Sequence, residues 1–127
     1  MRIIGHGIDL VEVSRIAGML ERHAERFLER VFTPAEAAHS DGKRRQSEHL
    51  AGRFAAKEAV LKALGTGWAE GIAWTDIEVV ALRSGRPSLK LSGKAAALAA
   101  EGGVESWHIS ITHTAEHAMA SVIAVGT

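Results

Sequence analysis

The sequence of 127 residues contains no cysteine. This absence excludes thiolate catalysis, zinc sites with cysteine ligands and disulfides, and it fits a reducing cytoplasm. The chain also has no net charge, because fifteen Lys and Arg residues balance fifteen Asp and Glu residues, so it lacks a chain-wide basic field for nucleic acid. No apolar run is long enough to cross a bilayer, and Asp9 and Glu12 interrupt the segment where a signal peptide would be apolar. We therefore expect a cytoplasmic protein that binds neither nucleic acid nor membranes.

Length and composition predict one domain over residues 1–127, since 46% of the residues are hydrophobic and 24% are charged, close to globular averages. In the first half, the patterns predict a strand over residues 2–11 that ends near Asp9, and then a helix over 15–31 with Ser14 as its N-cap. The capping sequence Thr33-Pro34-Ala35-Glu36 predicts a second, short helix. A polar loop over 40–46 and a long helix over 48–64 follow.

The second half changes to β-branched and alternating runs, which predict strands over 77–82, 88–91, 107–112 and 118–125. The sequence Ser84-Gly85-Arg86-Pro87 predicts a hairpin turn, and Ser92 and Gly102-Gly103 bound a short alanine-rich helix. Together these elements predict an α+β fold in which helices pack on an antiparallel β-sheet.

The long helix has charged residues on an unexpected side. Its large apolar residues share one face and its alanines the other, and Arg53, Lys57, Glu58 and Lys62 lie with the large residues. One interpretation is a solvated face on which Glu58 and Lys62 form an ordinary ion pair one turn apart. The other is a cationic stripe beside a carboxylate that holds a phosphorylated ligand and its metal, while the alanines allow another element to pack closely.

Asp9 and Glu58 are the candidate metal ligands, since Mg²⁺ takes one or two protein carboxylates and completes its shell with water and phosphate oxygens. An aspartate near a strand end is also a common turn or cap residue. The segment that follows the long helix, Gly65-Thr66-Gly67, is a helix stop, a loop whose backbone N–H groups approach phosphate, or both at once. The histidine spacing matches no zinc motif, and Ser110 with His113 lacks the setting of a catalytic nucleophile.

The helix over 15–31 carries a basic stripe with one apolar residue, made of Arg15, Met19, Arg22, Arg26 and Arg30. It is either a solvent face balanced by neighbouring glutamates or a docking face for an acidic helical partner.

Several motifs occur together and in order: residues 4–12 (IGHGIDLVE), 52–59 (GRFAAKEA), 62–67 (KALGTG), 76–79 (DIEV), 85–87 (GRP) and 110–114 (SITHT). From residue 2 to about residue 125, the sequence closely resembles the bacterial holo-acyl-carrier-protein synthases of fatty-acid biosynthesis, the short trimeric type of 4′-phosphopantetheinyl transferase. His6 and Thr112 depart from the residues usual at those positions in the family.

The resemblance implies an Mg²⁺-dependent transfer of phosphopantetheine from coenzyme A to a serine of apo acyl carrier protein, with 3′,5′-ADP leaving, in a homotrimer with active sites between subunits. It implies Asp9 and Glu58 as Mg²⁺ ligands, and Arg15, Met19, Arg22 and Arg26 as the docking residues for the carrier protein. The implied contacts of coenzyme A are Arg53, Lys57, Lys62, Gly65, Thr66, Gly67, Arg86, Pro87, Ser110, His113 and Thr114.

For the catalytic step, we hypothesise that Glu58, directly or through a water, accepts the serine proton and that Lys62 helps neutralise the leaving group. A water activated by Mg²⁺ is the alternative base. Two alternatives stay open at this point. The same Asp, Glu and Lys set suits a metal-dependent phosphate-ester hydrolase that needs no carrier protein, and the arginine stripe suits a non-enzymatic adaptor for an acidic partner.

Overall fold

A computed structural model describes residues 1–38, 42–68 and 71–127. Its helices are α1 (Val13–Val31), α2 (Pro34–Ala38), α3 (Lys43–Leu64) and α4 (Gly93–Glu101), with a 3₁₀ turn at Trp74–Asp76. Its strands are β1 (Arg2–Glu12), β2 (Ile77–Ala81), β3 (Pro87–Leu91), β4 (Ser106–His113) and β5 (His117–Gly126). The predicted α+β class is confirmed. Within the described ranges, none of the helices combines the length and the apolar composition that crossing a membrane requires.

All strand pairs are antiparallel, and they form two sheets. A three-stranded sheet has the order β1-β5-β4, so the last strand lies in the middle, and β2 and β3 form a separate hairpin. The inward residues of β5 are small or β-branched and are fully buried, namely Ala118, Ala120, Val122 and Ala124. These residues leave room for a helix to lie directly on the sheet.

Helix α3 packs on this sheet along its alanine face, as the sequence predicted. Ala55, Ala56 and Ala59 are completely buried. A side chain at Gly7 would overlap the carbonyl oxygen of Ala59, and one at Gly5 would overlap that of Ala63. The two strand glycines are therefore required where the β1 backbone approaches the α3 backbone closely.

The opposite face of the three-stranded sheet carries apolar side chains that are exposed to solvent in the single chain. Ile8, Leu10 and Met119 are 49%, 63% and 37% exposed. His6 also lies on this face, where its Nε2 is 3.3 Å from the hydroxyl of Ser121.

Several predicted boundaries are wrong. β1 continues to Glu12, so Asp9 lies inside the strand opposite Ala120. Ser14 is inside α1, whose N-cap is Glu12. α3 begins at Lys43, because Gly42 takes the positive φ of 91° and the chain becomes helical directly after it. Residues 43–46 are therefore helical and not a loop, while residues 40 and 41 lie outside the described ranges.

The predicted capping box at Thr33 is confirmed. The Glu36 backbone N–H donates to the Thr33 hydroxyl at 3.3 Å, and the Thr33 N–H donates to Glu36 Oε1 at 2.9 Å. Helix α1 is interrupted at His23, whose φ of −141° is not helical. The arginine stripe thus runs across two helical segments that meet at this residue.

Candidate active site

Asp9 and Lys62 meet where β1 crosses α3. The ammonium of Lys62 donates to Asp9 Oδ1 at 3.2 Å and to the backbone carbonyl of Ile8 at 2.9 Å. The Asp9 side chain is 17% exposed and that of Lys62 is 55% exposed, so the pair lies at the edge of the interior. A pair this open contributes little to stability and can rearrange when a ligand arrives.

Glu58 lies on α3 one helical turn before Lys62, on the same side of the helix. Its Oε1 accepts a hydrogen bond from the indole N–H of Trp68 at 3.4 Å. Asp9 and Glu58 therefore both lie near Lys62, Asp9 through a direct contact and Glu58 one helical turn away on the same side of α3. Trp68 could not be identified from the sequence, because its ten-residue separation from Glu58 follows no helical or strand spacing.

The donor set near Lys62 fits a hard divalent cation. Carboxylate oxygens are the protein ligands that Mg²⁺ prefers, and it usually takes one or two of them together with water and phosphate oxygens. In the part of the chain that the structure describes, no group of three or more His, Asp or Glu side chains converges as a metal site. The carboxylates near Lys62 are those of Asp9 and Glu58, and Asp9 Oδ1 already accepts a hydrogen bond from the Lys62 ammonium.

A basic groove lies farther along α3, toward its N-terminus. Its volume is about 580 Å³, and its lining includes two predicted ligand contacts, Arg53 and His113, with Arg44, Arg45, Glu48 and His49. Arg53 Nη1 is 3.3 Å from His49 Nδ1. Burial lowers the pKa of the Arg53 guanidinium, and Glu36 opposes that shift. The Nε of Arg53 is buried and has no hydrogen-bond partner among the described residues.

Arg44 and Arg45 were missed because their segment was predicted to be a loop. Once the segment is helical, Arg45, His49 and Arg53 follow one another at intervals of one turn and share a face. Extending the predicted helix back through the basic residues would have revealed this face.

Lys57 does not belong to either surface. Its side chain is completely buried, and its ammonium donates to Glu36 Oε1 at 2.9 Å, to the Trp74 carbonyl at 3.1 Å and to the Ile77 carbonyl. All three ammonium protons are therefore used inside the protein. The prediction that Lys57 contacts coenzyme A is wrong for this reason, and the residue is instead part of a buried ion pair.

The segment Gly65-Thr66-Gly67 ends α3. The N–H groups of Gly65 and Thr66 both donate to the Leu61 carbonyl, and that of Gly65 also to the Lys62 carbonyl. Gly65 has the left-handed conformation typical of a helix C-cap. The helix-stop interpretation is confirmed, because the N–H groups of Gly65 and Thr66 are hydrogen-bonded to the last turn of α3. The contact of this segment with coenzyme A stays a prediction.

The other predicted contacts of coenzyme A lie on separate parts of the fold. Ser110 is exposed and opposes Ser121 on the face of the sheet away from α3, whereas His113 lines the basic groove. Arg86 and Pro87 belong to the hairpin between β2 and β3. The Thr114 hydroxyl accepts the N–H groups of Glu116 and His117 at 3.3 and 3.1 Å and so shapes the turn between β4 and β5.

The arginine stripe borders a second groove, of about 370 Å³. The lining includes the predicted docking residues Arg15, Met19 and Arg26, together with the aromatic rings of Phe54 and Trp74. The guanidinium of Arg15 lies 5.5 Å from the centre of the Phe54 ring. The remaining docking candidate, Arg22, lies with its guanidinium beside Gly18. This surface therefore has a basic rim and an apolar floor.

Comparison with known proteins identifies the class. Residues 5–121 match the family model described as the 4′-phosphopantetheinyl transferase superfamily, and the chain belongs to this family. It is 50% identical to the holo-[acyl-carrier-protein] synthase of Solibacter usitatus, with 95% of this chain and 97% of that protein covered. It is 48% identical to the protein of the same name from Gloeobacter violaceus, with 94% and 91% covered. The resemblance carried by the motifs is confirmed.

Solved structures show the same fold. The crystal structure of holo-ACP-synthase from Plasmodium yoelii superposes with a TM-score of 0.86 at 32% identity, over 99% of this chain and 97% of that one. A holo-(acyl-carrier-protein) synthase from Bacillus anthracis in complex with CoA (3′,5′-ADP) superposes with a TM-score of 0.80 at 38% identity, over 98% of both chains.

Proposed function

We propose that this protein is a single-domain holo-acyl-carrier-protein synthase, which transfers 4′-phosphopantetheine from coenzyme A to a serine of apo acyl carrier protein. The products are holo acyl carrier protein and 3′,5′-ADP, and the process served is fatty-acid biosynthesis. One observation carries the proposal. In a chain that belongs to the 4′-phosphopantetheinyl transferase superfamily, Lys62 contacts Asp9 of β1 and lies one helical turn after Glu58 on the same side of α3.

Asp9 and Glu58 would hold Mg²⁺ near Lys62. When bound, the cation supplies Lewis-acid neutralisation of the charge on the phosphoryl oxygens. Lys62 serves the same end from the protein side. Its half-exposed ammonium, already oriented by Asp9 and the Ile8 carbonyl, moves to an oxygen of the departing phosphate and stabilises the negative charge that develops there.

Glu58 accepts the proton of the attacking serine in this proposal. A positioned general base contributes about 10²- to 10⁴-fold to a rate. Glu58→Gln should therefore lower turnover at saturating Mg²⁺ by at least about 10²-fold. Near-normal turnover of this variant would contradict the base role, while a loss that extra Mg²⁺ restores would assign Glu58 to metal binding alone.

The basic groove of Arg44, Arg45, Arg53 and His113 is proposed to bind phosphate groups of coenzyme A, since three guanidinium groups line it. Ser110 lies on the other face of the sheet, so a ligand that contacts it together with the groove has to be shared between copies. The exposed apolar side chains of Ile8, Leu10 and Met119 favour the same conclusion, because a second copy would cover them. These observations support association of copies, and we propose a homotrimer because the resemblance to the family implies that number.

The basic rim formed by Arg15, Met19, Arg22 and Arg26 is proposed to dock the carrier protein through one of its acidic helices. Its arginines supply charge complementarity, and Met19 with the apolar floor of the groove supplies contact area.

The deciding experiment measures the intact mass of purified apo acyl carrier protein after incubation with this protein, coenzyme A and Mg²⁺. A gain of one phosphopantetheine group is expected with wild type and is expected to disappear in Asp9→Ala. Glu101→Ala, which removes an exposed carboxylate at the end of α4, is the matched control and should leave the gain unchanged. Release of 3′,5′-ADP without a carrier protein would favour the hydrolase, and binding of the carrier protein with no reaction would favour the adaptor.

A further inference from the structure

The turn after α3 returns the chain onto the helix it has just left. Gly65 and Gly67 have positive φ values of 76° and 60°, a conformation that glycine adopts without strain. The reversal brings Trp68 back beside Glu58, with the indole N–H 3.4 Å from Glu58 Oε1. The segment Gly65-Thr66-Gly67 thus ends the helix and also places the indole N–H of Trp68 beside the carboxylate of Glu58, the predicted metal ligand.

The direction of that donor is fixed by packing. The ring of Trp68 lies against the ring of Trp74, with 3.7 Å between their centres, and Trp74 stacks on Phe54 at 4.9 Å. Phe54 is buried in the core on α3, one turn before Glu58. A continuous row of rings therefore holds the indole in place, independently of the long hydrogen bond that it makes.

We infer that Trp68 is a positioning residue for the carboxylate of Glu58. Its N–H holds Oε1 and fixes the side-chain rotamer, which leaves Oε2 for the cation and the reacting groups. Groups that hydrogen-bond to a metal ligand, without touching the metal themselves, strongly affect metal affinity and activity. The inference rests on the proposed function for its catalytic consequence, but its consequence for cation binding is separate.

Trp68→Phe tests the role of the N–H, because it keeps a ring for Trp74 to stack on. Replacing Trp68 by 3-benzothienylalanine is sharper still, since this residue keeps the bicyclic shape and carries sulfur in place of the N–H. Mn²⁺ binding is measured on the full chain without coenzyme A, from the electron paramagnetic resonance signal of the free ion. Both replacements should weaken Mn²⁺ binding by about tenfold, the lower end of the effects seen for such groups.

The values of kcat and KM distinguish a positioning role of Trp68 from a general loss of structure. Both replacements should lower kcat for the carrier protein by about tenfold with its KM unchanged. Trp107→Phe, which removes an indole from β4, should change neither quantity. In a Glu58→Gln background, the loss of the indole N–H should have no further effect on Mn²⁺ binding, because the group through which it acts is already altered.

Three results would overturn the inference: wild-type Mn²⁺ affinity in the benzothienylalanine protein, an equal loss with and without the Glu58 carboxylate, or a rise in KM with kcat unchanged. A wild-type protein that binds no Mn²⁺ would refute the carboxylate pair and this inference together. A wild-type protein that makes no holo carrier protein, but whose Mn²⁺ binding depends on the Trp68 N–H, would refute the proposed function and support the positioning role.

Discussion

The buried ion pair between Glu36 and Lys57 gives the most direct test of how this fold is held together. Both side chains are completely enclosed. Glu36 Oε1 accepts the Lys57 ammonium and the Thr33 N–H, each at 2.9 Å, and its Oε2 accepts the Val79 N–H at 2.8 Å. The pair therefore connects α2, α3 and β2 through groups that have no access to water. We predict that Glu36→Gln, which keeps the shape and removes the charge, destabilises the protein severely.

The magnitude follows from what remains after the change. Lys57 keeps its two backbone carbonyl partners but loses the carboxylate bonded to it. Its buried ammonium then lacks its main compensating charge, although the charge of Glu78 still favours the ammonium form. Breaking a buried pair in this way costs about 3–5 kcal/mol. For a chain of this length, that loss lowers the midpoint of thermal unfolding by about 10–20 °C.

Urea unfolding monitored by circular dichroism measures the free energy, at one fixed protein concentration because self-association would shift the midpoint. Lys57→Met should also destabilise. The double variant should be more stable than the sum of the two losses predicts, by about 2 kcal/mol, because both charges are then gone. A loss below about 1 kcal/mol in Glu36→Gln, or additive losses in the double variant, would refute the reasoning.

The same variant has a predictable dependence on pH. Burial lowers the pKa of Lys57, and the charge of Glu36 partly opposes that shift, so Glu36→Gln should lower this pKa further. Between the lowered folded value and the ordinary value in the unfolded chain, the unfolded state binds more protons, and the free energy of unfolding therefore rises with pH. The deficit of Glu36→Gln relative to wild type should narrow from pH 7 to pH 10. The absence of cysteine and tyrosine removes two other groups that titrate in this range.

Four further substitutions probe the remaining contacts. Gly7→Ala would place a side chain on an α3 carbonyl and should cost about 3 kcal/mol or more in urea unfolding; a loss under about 1 kcal/mol would contradict the close approach. Arg15→Glu and Arg26→Glu, which reverse charge at the basic rim, should each raise the KM for the carrier protein about tenfold with kcat unchanged, whereas Arg83→Glu should not. Leu10→Lys should lower the sedimentation coefficient toward that of one copy, and an unchanged value would place the interface elsewhere.

Much of the fold could be predicted because its signals are local. The capping box at Thr33, the glycine stop after Leu64 and the alternating strands of the second half each involve residues close together in the chain. The start of α3 could not be predicted in the same way. Its first turn is polar and basic, so no apolar periodicity marks it. For the same reason, the helical face that carries the arginines of the basic groove could not be predicted.

Lys57 was misread for a different physical reason. A lysine among leucines on a helix indicates either a ligand site or an ion pair with a buried carboxylate. The positions of residues around the helix do not distinguish the two. The partner is Glu36, 21 residues earlier, which the sequence had already assigned to the capping box. One carboxylate performs both tasks, because Oε1 serves Thr33 and Lys57 while Oε2 serves Val79. The capping-box pattern predicts the first task of Glu36 but gives no indication of its ion pair with Lys57.

The two neighbours Lys57 and Glu58 connect the stability of α3 to its chemistry. Lys57 points into the interior and is bonded from α2 and from the segment that leads into β2, and the alanine face is closed against the sheet. These two contacts lie on different sides of the helix, so together they fix its rotation about its own axis. Because Glu58 follows Lys57 directly, the same rotation sets the direction in which its carboxylate leaves the helix. A variant in which the Glu36–Lys57 ion pair is broken but the protein still folds should therefore bind a cation more weakly at the proposed site, even while the β-sheet stays intact.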